Sequence, residues 1–317
     1  MNRTLQQLFK IVISLGLITF LVWKISPGRL VPHLRNMNLP FLFGAVAVFF
    51  VSSCLGSLQW HLLLRAGGIR LTPVKTLRLY FVGLFFNNFF PTNVGGDAVK
   101  IFDVTRSGND PHQVFAITLL DRVIGISGLC LLALMASLLL LRARTVDNLP
   151  VYILIFIGCI TPILLLALNR RLSRAVRMFF SRLNVWKLGE RFNMIFGHLG
   201  SFRTFRALMF NVLLLALVVQ FLRVATHVLV GRALGVELTA GSVLSFYVFI
   251  PLLGLVMVLP ISLNGLGVRE GAGILLFTTV GFSNEQALLL EFITYVVMVA
   301  VSLIGGAFFL QRHLRRE

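Results

Sequence analysis

Six apolar runs, each close to the length of a membrane-spanning helix, divide this chain: residues 8–25, 39–64, 114–141, 149–168, 207–234 and 286–310. A hydrocarbon core of about 30 Å is crossed by roughly 20 apolar residues in a helix. Inside that core every backbone polar group must be satisfied within the segment. Runs of this length and number point to an all-α integral membrane protein. Composition agrees: 57% of the 317 residues are hydrophobic and 13% charged, against an apolar share of about 45–50% in soluble domains. The N-terminal MNRTLQQLFK and the apolar residues 11–22 have the outline of a signal peptide, but WKISPGR follows where a small-x-small cleavage site would stand. A retained first helix is expected.

The formal charge of +18 does not make this a nucleic-acid reader, because the basic residues lie between apolar spans and not on one soluble face. They serve better as topology signals and anionic-lipid contacts. Residues 169–206 hold Arg170, Arg171, Arg174, Arg177, Arg182, Lys187, Arg191, Arg203 and Arg206, which marks a basic cytoplasmic loop. With Phe179, Phe180 and Trp186 among its arginines, that loop reads equally as an amphipathic segment on the inner leaflet or as a solvated topogenic loop. Arg65, Arg70, Lys75 and Arg78 after the second span, and Arg312, Arg315 and Arg316 at the C-terminus, belong on the same side, so both termini are expected in the cytoplasm.

Two segments do not fit a simple count of spans. Val258 to Gly273, VLPISLNGLGVREGAG, and Phe85 to Lys100, FFNNFFPTNVGGDAVK, each set proline, asparagine and glycines beside charged residues within apolar surroundings. Pro91 to Lys100 and Pro260 to Arg269 are both nine-residue steps. Counting from the basic loop requires residues 77–111 to enter and return, and residues 243–285 to do the same from the opposite face. The expected architecture is therefore a single polytopic domain over 1–317, with about six full spans and two opposed re-entrant hairpins in a pseudo inverted repeat. Its halves are 8–168 and 207–310. Discontinuous helices of this kind place their ends at a midplane site. If the hairpin arms cross fully, the count becomes eight or more spans.

Ionisable residues at bilayer depth are costly and mark candidate sites. Here they are Asp97, Asp121, Arg122, Arg223, Arg269 and Glu270, with Glu291 nearer a span end. Asp121 and Arg122 are sequence neighbours on one helix and do not face each other, so each needs a partner on another element, either to fasten the bundle or to line a pathway. Arg223 lies too deep to reach the interface easily and is the strongest single candidate for an anion contact; His227 follows one turn later as a packing residue or proton carrier. Lys100 and Arg269 each follow a glycine-rich break that opens a helix, where backbone N–H groups beside a cation suit phosphate. Ordinary turn chemistry, with Asn or Asp capping the next helix, explains Asp97 better than it explains Arg269 and Glu270. An internal pair of Arg269 with Asp97 or Asp121 is the competing reading. Gly265, Gly267, Gly271 and Gly273 permit close approach of a helix or a ligand.

Cys54, Cys130 and Cys159 fall in apolar runs without CxxC spacing, and the six histidines are scattered, so no disulfide frame, metal site or cofactor is expected. The sequence has no Walker A, G-x-S-x-G or HExxH motif.

LPISLNGLGVREGAG, LLDRVIGISGL and NNFFPTNVGGDAVKIFDVTR together resemble the lysylphosphatidylglycerol synthase transmembrane-region family, also described as flippase-like, over roughly residues 8–310. The resemblance marks Pro91, Gly95, Gly96 and Asp97 in the first motif, Asp121 and Arg122 in the second, and Pro260, Asn264, Gly265, Gly267, Arg269 and Glu270 in the third. Asp97 stands where many relatives carry glutamate. The resemblance implies a lipid-handling unit of the cell inner membrane. Only Gln311 to Glu317 follow the last span, so a stand-alone member without aminoacyl transfer is expected. The expected function is non-enzymatic binding and movement of an anionic or aminoacylated phospholipid, with Asp97, Lys100, Asp121, Arg122, Arg223, Asn264, Arg269 and Glu270 at the headgroup. The alternatives are a lipid-modifying enzyme using Asp121 or Glu270 as general base, and a membrane anchor for a separate synthase or glycosyltransferase.

Overall fold

The computed structural model describes residues 27–88, 95–143, 146, 148–168, 206–257 and 267–314. The expected first span at 8–25, the basic loop up to residue 205, and Pro91, Pro260, Asn264 and Gly265 of the two breaks lie outside the described residues. The described part is helical, without strands: α1 (Pro27–Arg35), α2 (Leu39–Ala66), α3 (Pro73–Asn87), α4 (Gly95–Thr105), α5 (Pro111–Ala143), α6 (Leu149–Leu168), α7 (Arg206–Ala233), α8 (Ala240–Val256), α9 (Val268–Phe277), a short 3-10 turn (Thr278–Val280) and α10 (Asn284–Leu314).

Four helices, α2, α5, α7 and α10, are long and apolar enough to cross a membrane; the apolar stretches of α6 and α8 are shorter. Around an apolar core, large apolar side chains are also turned outward and polar ones inward. Phe43, Leu154, Phe210, Leu275 and Leu310 are exposed, whereas Ser52, Ser53, Gln59, Thr76, Asp97, Lys100 and Glu291 are buried. Apolar surface turned outward has no reason to hide from lipid, while the polar groups must find partners inside.

The two sequence breaks become two helix–break–helix units, each turned back on itself. α3 and α4, at 15 and 11 residues, are too short at 1.5 Å per residue to cross a core of about 30 Å. Lys75 near the start of α3 donates to Ser107, just past the end of α4, at 3.2 Å, so the two outer ends meet. At the inner ends the Gly96 N–H donates to Asn87 Oδ1 at 2.7 Å. In the second unit Phe277 at the end of α9 packs back against Phe246 in the first half of α8, ring centroids 4.8 Å apart.

The units are rooted at opposite ends of the bundle. Arg312 at the end of α10 pairs with Asp103 of α4 at 2.8 Å, so the C-terminal end of α10 lies with the outer ends of α3 and α4. At the far end the Asn38 N–H donates to the Ala233 carbonyl at 2.8 Å, joining the start of α2 to the end of α7, from which α8 departs. Phe282, just before α10, packs near Gly231 at that same end.

Glycines set how closely these elements approach. α10 lies directly on α3 because Gly305 has no side chain: a Cβ there would overlap the Phe81 carbonyl. A Cβ on Gly96 would likewise strike the Gly83 carbonyl. Gly271 has open space around it. Backbone neighbours cannot swing aside as a flexible side chain can, so overpacking here costs about 1–3 kcal/mol or more. Gly305→Ala is expected to lower the melting temperature of the detergent-solubilised protein, while Gly271→Ala leaves it unchanged or slightly raised; thermal unfolding followed by tryptophan fluorescence checks both.

Candidate functional site

A cavity of about 330 Å³ is lined by residues of α3, α4, the end of α8 and the start of α9, together with the long helices α2, α5, α7 and α10. Asn87, Asn88, Asp97 and Lys100 come from the first unit, Met257 and Arg269 from the second, with Asp121 and Arg122 from α5 and Arg223 from α7. Six of the residues singled out in the sequence, Asp97, Lys100, Asp121, Arg122, Arg223 and Arg269, thus line one space although they span 173 positions of chain. Glu270 stands behind Arg269 and does not line it; Asn264 is outside the described residues.

The charges fall into two clusters. In the first, Asp97 accepts from Lys100 Nζ at 2.6 Å and from Arg122 Nε. The Lys100 ammonium also lies 5.0 Å from the rings of both Trp60 and Tyr80. Aromatic faces and a carboxylate replace the water that this buried cation has lost. Asp97 therefore does not act as the helix cap that its position after Gly95–Gly96 suggested; its carboxylate points to the two cations. Asp121 accepts from Gln59 Nε2 at 2.7 Å across from α2, and its charge also acts on Lys100 and Arg223. Asp121 and Arg122 do find partners on other elements, as their neighbouring positions on one helix require.

In the second cluster Arg269 does not pair with Asp97 or Asp121. Its Nη2 donates to Glu270 Oε1 at 3.1 Å, and its Nε stands 3.3 Å from Glu291 Oε2 on α10. All three side chains are buried, at 4%, 2% and 0% exposure. Adjacent residues can meet here because the Glu270 side chain reaches back along the first helical turn, where the long Arg269 side chain meets it. Gly267, at φ +82°, turns the chain into α9, and its N–H donates back to Glu270 Oε2 at 2.6 Å. The capping role thus belongs to Glu270, the reverse of the sequence expectation, and the cap pulls the carboxylate under its neighbour. The Arg269 guanidinium lies 5.0 Å from the Tyr295 ring centroid.

Arg223 differs from the other cations. Its Nη2 donates to the Tyr80 hydroxyl at 3.3 Å, its buried Nε meets no acceptor, and it forms no ion pair among the described residues. Tyr80 itself is seated by Gly56, where a Cβ would collide with its hydroxyl. No group of three or more His, Cys, Asp or Glu side chains among the described residues could hold a metal ion.

Comparison with known proteins gives this arrangement a context. The family model for the lysylphosphatidylglycerol synthase TM region matches residues 7–306. The chain belongs to that family. It is also similar to the UPF0104 membrane protein PH1989 of Pyrococcus horikoshii, 24% identical over 162 residues, which are 50% of this chain and 48% of that one. The matched stretch thus spans about half the length of the curated relative. The membrane assignment and the family expected from the motifs both stand.

Sequence reasoning did not assign Gln59, Trp60, Tyr80 or Tyr295 to the site, and it placed Glu291 at the margin. Polar and aromatic residues inside apolar helices were the available signal: Gln59 is a lone amide in LGSLQWHLLL. Removing the shared acid of the first cluster leaves two buried cations unpaired. Asp97→Asn is expected to destabilise the protein by about 3–5 kcal/mol, and adding Lys100→Met to recover part of that loss; melting temperatures of the single and double variants in one detergent check this.

Proposed function

We propose that the cavity binds the phosphate-bearing headgroup of an anionic or aminoacylated phospholipid, or of another lipid-linked phosphate, and helps it cross the inner membrane. The observation that carries this reading is Arg223. It lines the cavity roughly 15 Å from the nearer end of a span helix, at 1.5 Å per residue, within the field of Asp121 but without a salt bridge to any carboxylate among the described residues. A guanidinium held at that depth with an unfilled donor is a receptor for an acidic group. Arg122 and Arg269 line the same cavity and add donors, while Asp97 and Asp121 supply the opposite charge that an ammonium-bearing headgroup requires. The volume of about 330 Å³ holds a headgroup, near the small end of ligand sites, and leaves acyl chains in the surrounding lipid. Membership of a family named for a phospholipid synthase's membrane region supports the same substrate class.

In this reading the two helix–break–helix units are re-entrant hairpins of an inverted repeat, entering from opposite leaflets and meeting at the headgroup site. The protein acts as a lipid carrier and not as a catalyst. The two carboxylates considered as general bases support that choice: Asp121 is occupied by Gln59, and Glu270 by Gly267 and Arg269. Movement follows the lipid gradient or a coupled ion. Both termini face the cytoplasm in this arrangement, with Arg312 among the positive residues on that side.

Losing one charged hydrogen bond costs about 1.5–3 kcal/mol, or roughly 10- to 100-fold in affinity. In proteoliposomes carrying a fluorescent phosphatidylglycerol, Arg223→Ala and Arg269→Ala are each expected to slow leaflet exchange by about that factor, with Arg223→Lys intermediate. Exchange at the wild-type rate in both alanine variants would remove the proposed site.

A further inference from the structure

We propose that Glu291 and His227 jointly bind one proton, and that its presence sets how firmly Arg269 can hold an anionic headgroup. The second clause rests on the lipid reading above; the first does not. Glu291 is fully buried, and neither of its carboxyl oxygens has a hydrogen-bond partner among the described residues. Arg269 is shared between two acids: Glu270 takes its aligned Nη2 hydrogen bond, and its Nε approaches Glu291 at 3.3 Å without hydrogen-bond alignment. Two carboxylates around one guanidinium, all almost wholly buried, leave one negative charge uncompensated if both are ionised. An uncompensated buried charge costs several kcal/mol, and taking up one proton removes it.

The neighbouring histidine is arranged to share that proton. His227 Nδ1 lies 3.0 Å from the Arg223 carbonyl oxygen. A carbonyl can only accept, so Nδ1 carries hydrogen. The neutral ring then turns the bare lone pair of Nε2 toward Glu291 Oε2, 3.9 Å away. Two acceptors facing each other in a dry interior repel. A proton on either atom converts the contact into an attraction that a small approach would close to hydrogen-bond length. Space for the carboxyl is built in: a Cβ on Gly273 would lie 2.8 Å from Glu291 Cγ. The groups facing the pair are Arg269 and Glu270 from α9, the Arg223 carbonyl one turn back on α7, and Tyr295 one turn along α10, whose ring lies against Arg269.

Coupling follows from Arg269, which touches both the cluster and the cavity. With the proton bound, Glu291 ceases to compete for the guanidinium, and Arg269 is freer to turn to a phosphate. With a phosphate bound, the added negative charge favours the proton. The two affinities must change by the same factor in both directions. A proton would then enter the site with the anionic headgroup and leave with it, which supplies a coupled ion for transport.

The test uses the full chain, purified into nanodiscs. Infrared difference spectra at neutral pH are expected to contain a protonated-carboxyl stretch that moves in D2O, disappears in Glu291→Gln and shifts in frequency in His227→Gln. Binding of short-chain phosphatidylglycerol is expected to strengthen as pH falls, by at most about tenfold per unit for one linked proton, with a flat profile in Glu291→Gln. Calorimetry in buffers of different ionisation heat should record net proton uptake on binding. A wild-type spectrum without the Glu291 band across pH 5–9 overturns the proton site. Lipid binding without pH dependence or proton uptake overturns the coupling alone. Failure of the wild type to bind the lipid overturns the headgroup reading and the coupling together, while the infrared band still decides the proton site.

Discussion

Charge placed among apolar helices must be neutralised locally, and that constraint organises the interior of this protein. The helix that follows each sequence break, α4 or α9, carries an ionic centre at the cavity wall. At the first, one acid, Asp97, sits between two cations, Lys100 and Arg122. At the second, one cation, Arg269, sits between two acids, Glu270 and Glu291. The long helices supply the counter-charges: Arg122 comes from α5 and Glu291 from α10. Ion pairing and helix packing are therefore one problem here. α3 and α4 lie close enough for Asp97 and Lys100 to reach their partners because Gly83 and Gly96 let the backbones touch. Glu291 fits beneath α9 because position 273 is glycine. Aromatic faces complete the enclosure, with Trp60 and Tyr80 around Lys100 and Tyr295 against Arg269.

Much of this frame was legible in the chain. Long apolar runs announce the spans, and a proline, an asparagine and paired glycines inside apolar surroundings announce the breaks at Phe85–Lys100 and Val258–Gly273. Charged residues within spans identify cavity-lining positions because so few are present. Partner choice was not legible. Which acid meets Arg269 depends on how α9, α7 and α10 are rotated about their axes, and a sequence carries only the identity of each face. Glu291 looked peripheral because it stands near the beginning of an apolar run, yet α10 begins at Asn284 and the packing of α9 covers that turn. The capping roles of Asp97 and Glu270 exchanged for a similar reason. Asp97 has two strong cations within reach, which outweigh backbone N–H groups, whereas Glu270 can satisfy Arg269 and the Gly267 N–H together.

The opposite polarity of the two centres bears on what the cavity selects. A uniformly basic pocket would hold a phosphate tightly and release it slowly. This cavity offers a cation-rich wall near Asp97, an acid-rich cluster behind Arg269, and Arg223 with an unfilled donor. Under the lipid-headgroup reading, a group bearing both phosphate and ammonium can be oriented by such a field, while a simple anion is drawn mainly to Arg223 and the first centre. Discrimination then arises from the direction of the field as well as from contact number, because reversing the headgroup places like charges together. Under that reading, release is built into the same arrangement. Under the same reading, Arg122 or Arg269 turning to a phosphate leaves an acid of its own cluster exposed to it, and the recoil of that acid opposes tight binding. A carrier needs this balance, since binding energy that is not returned on release only slows the next cycle.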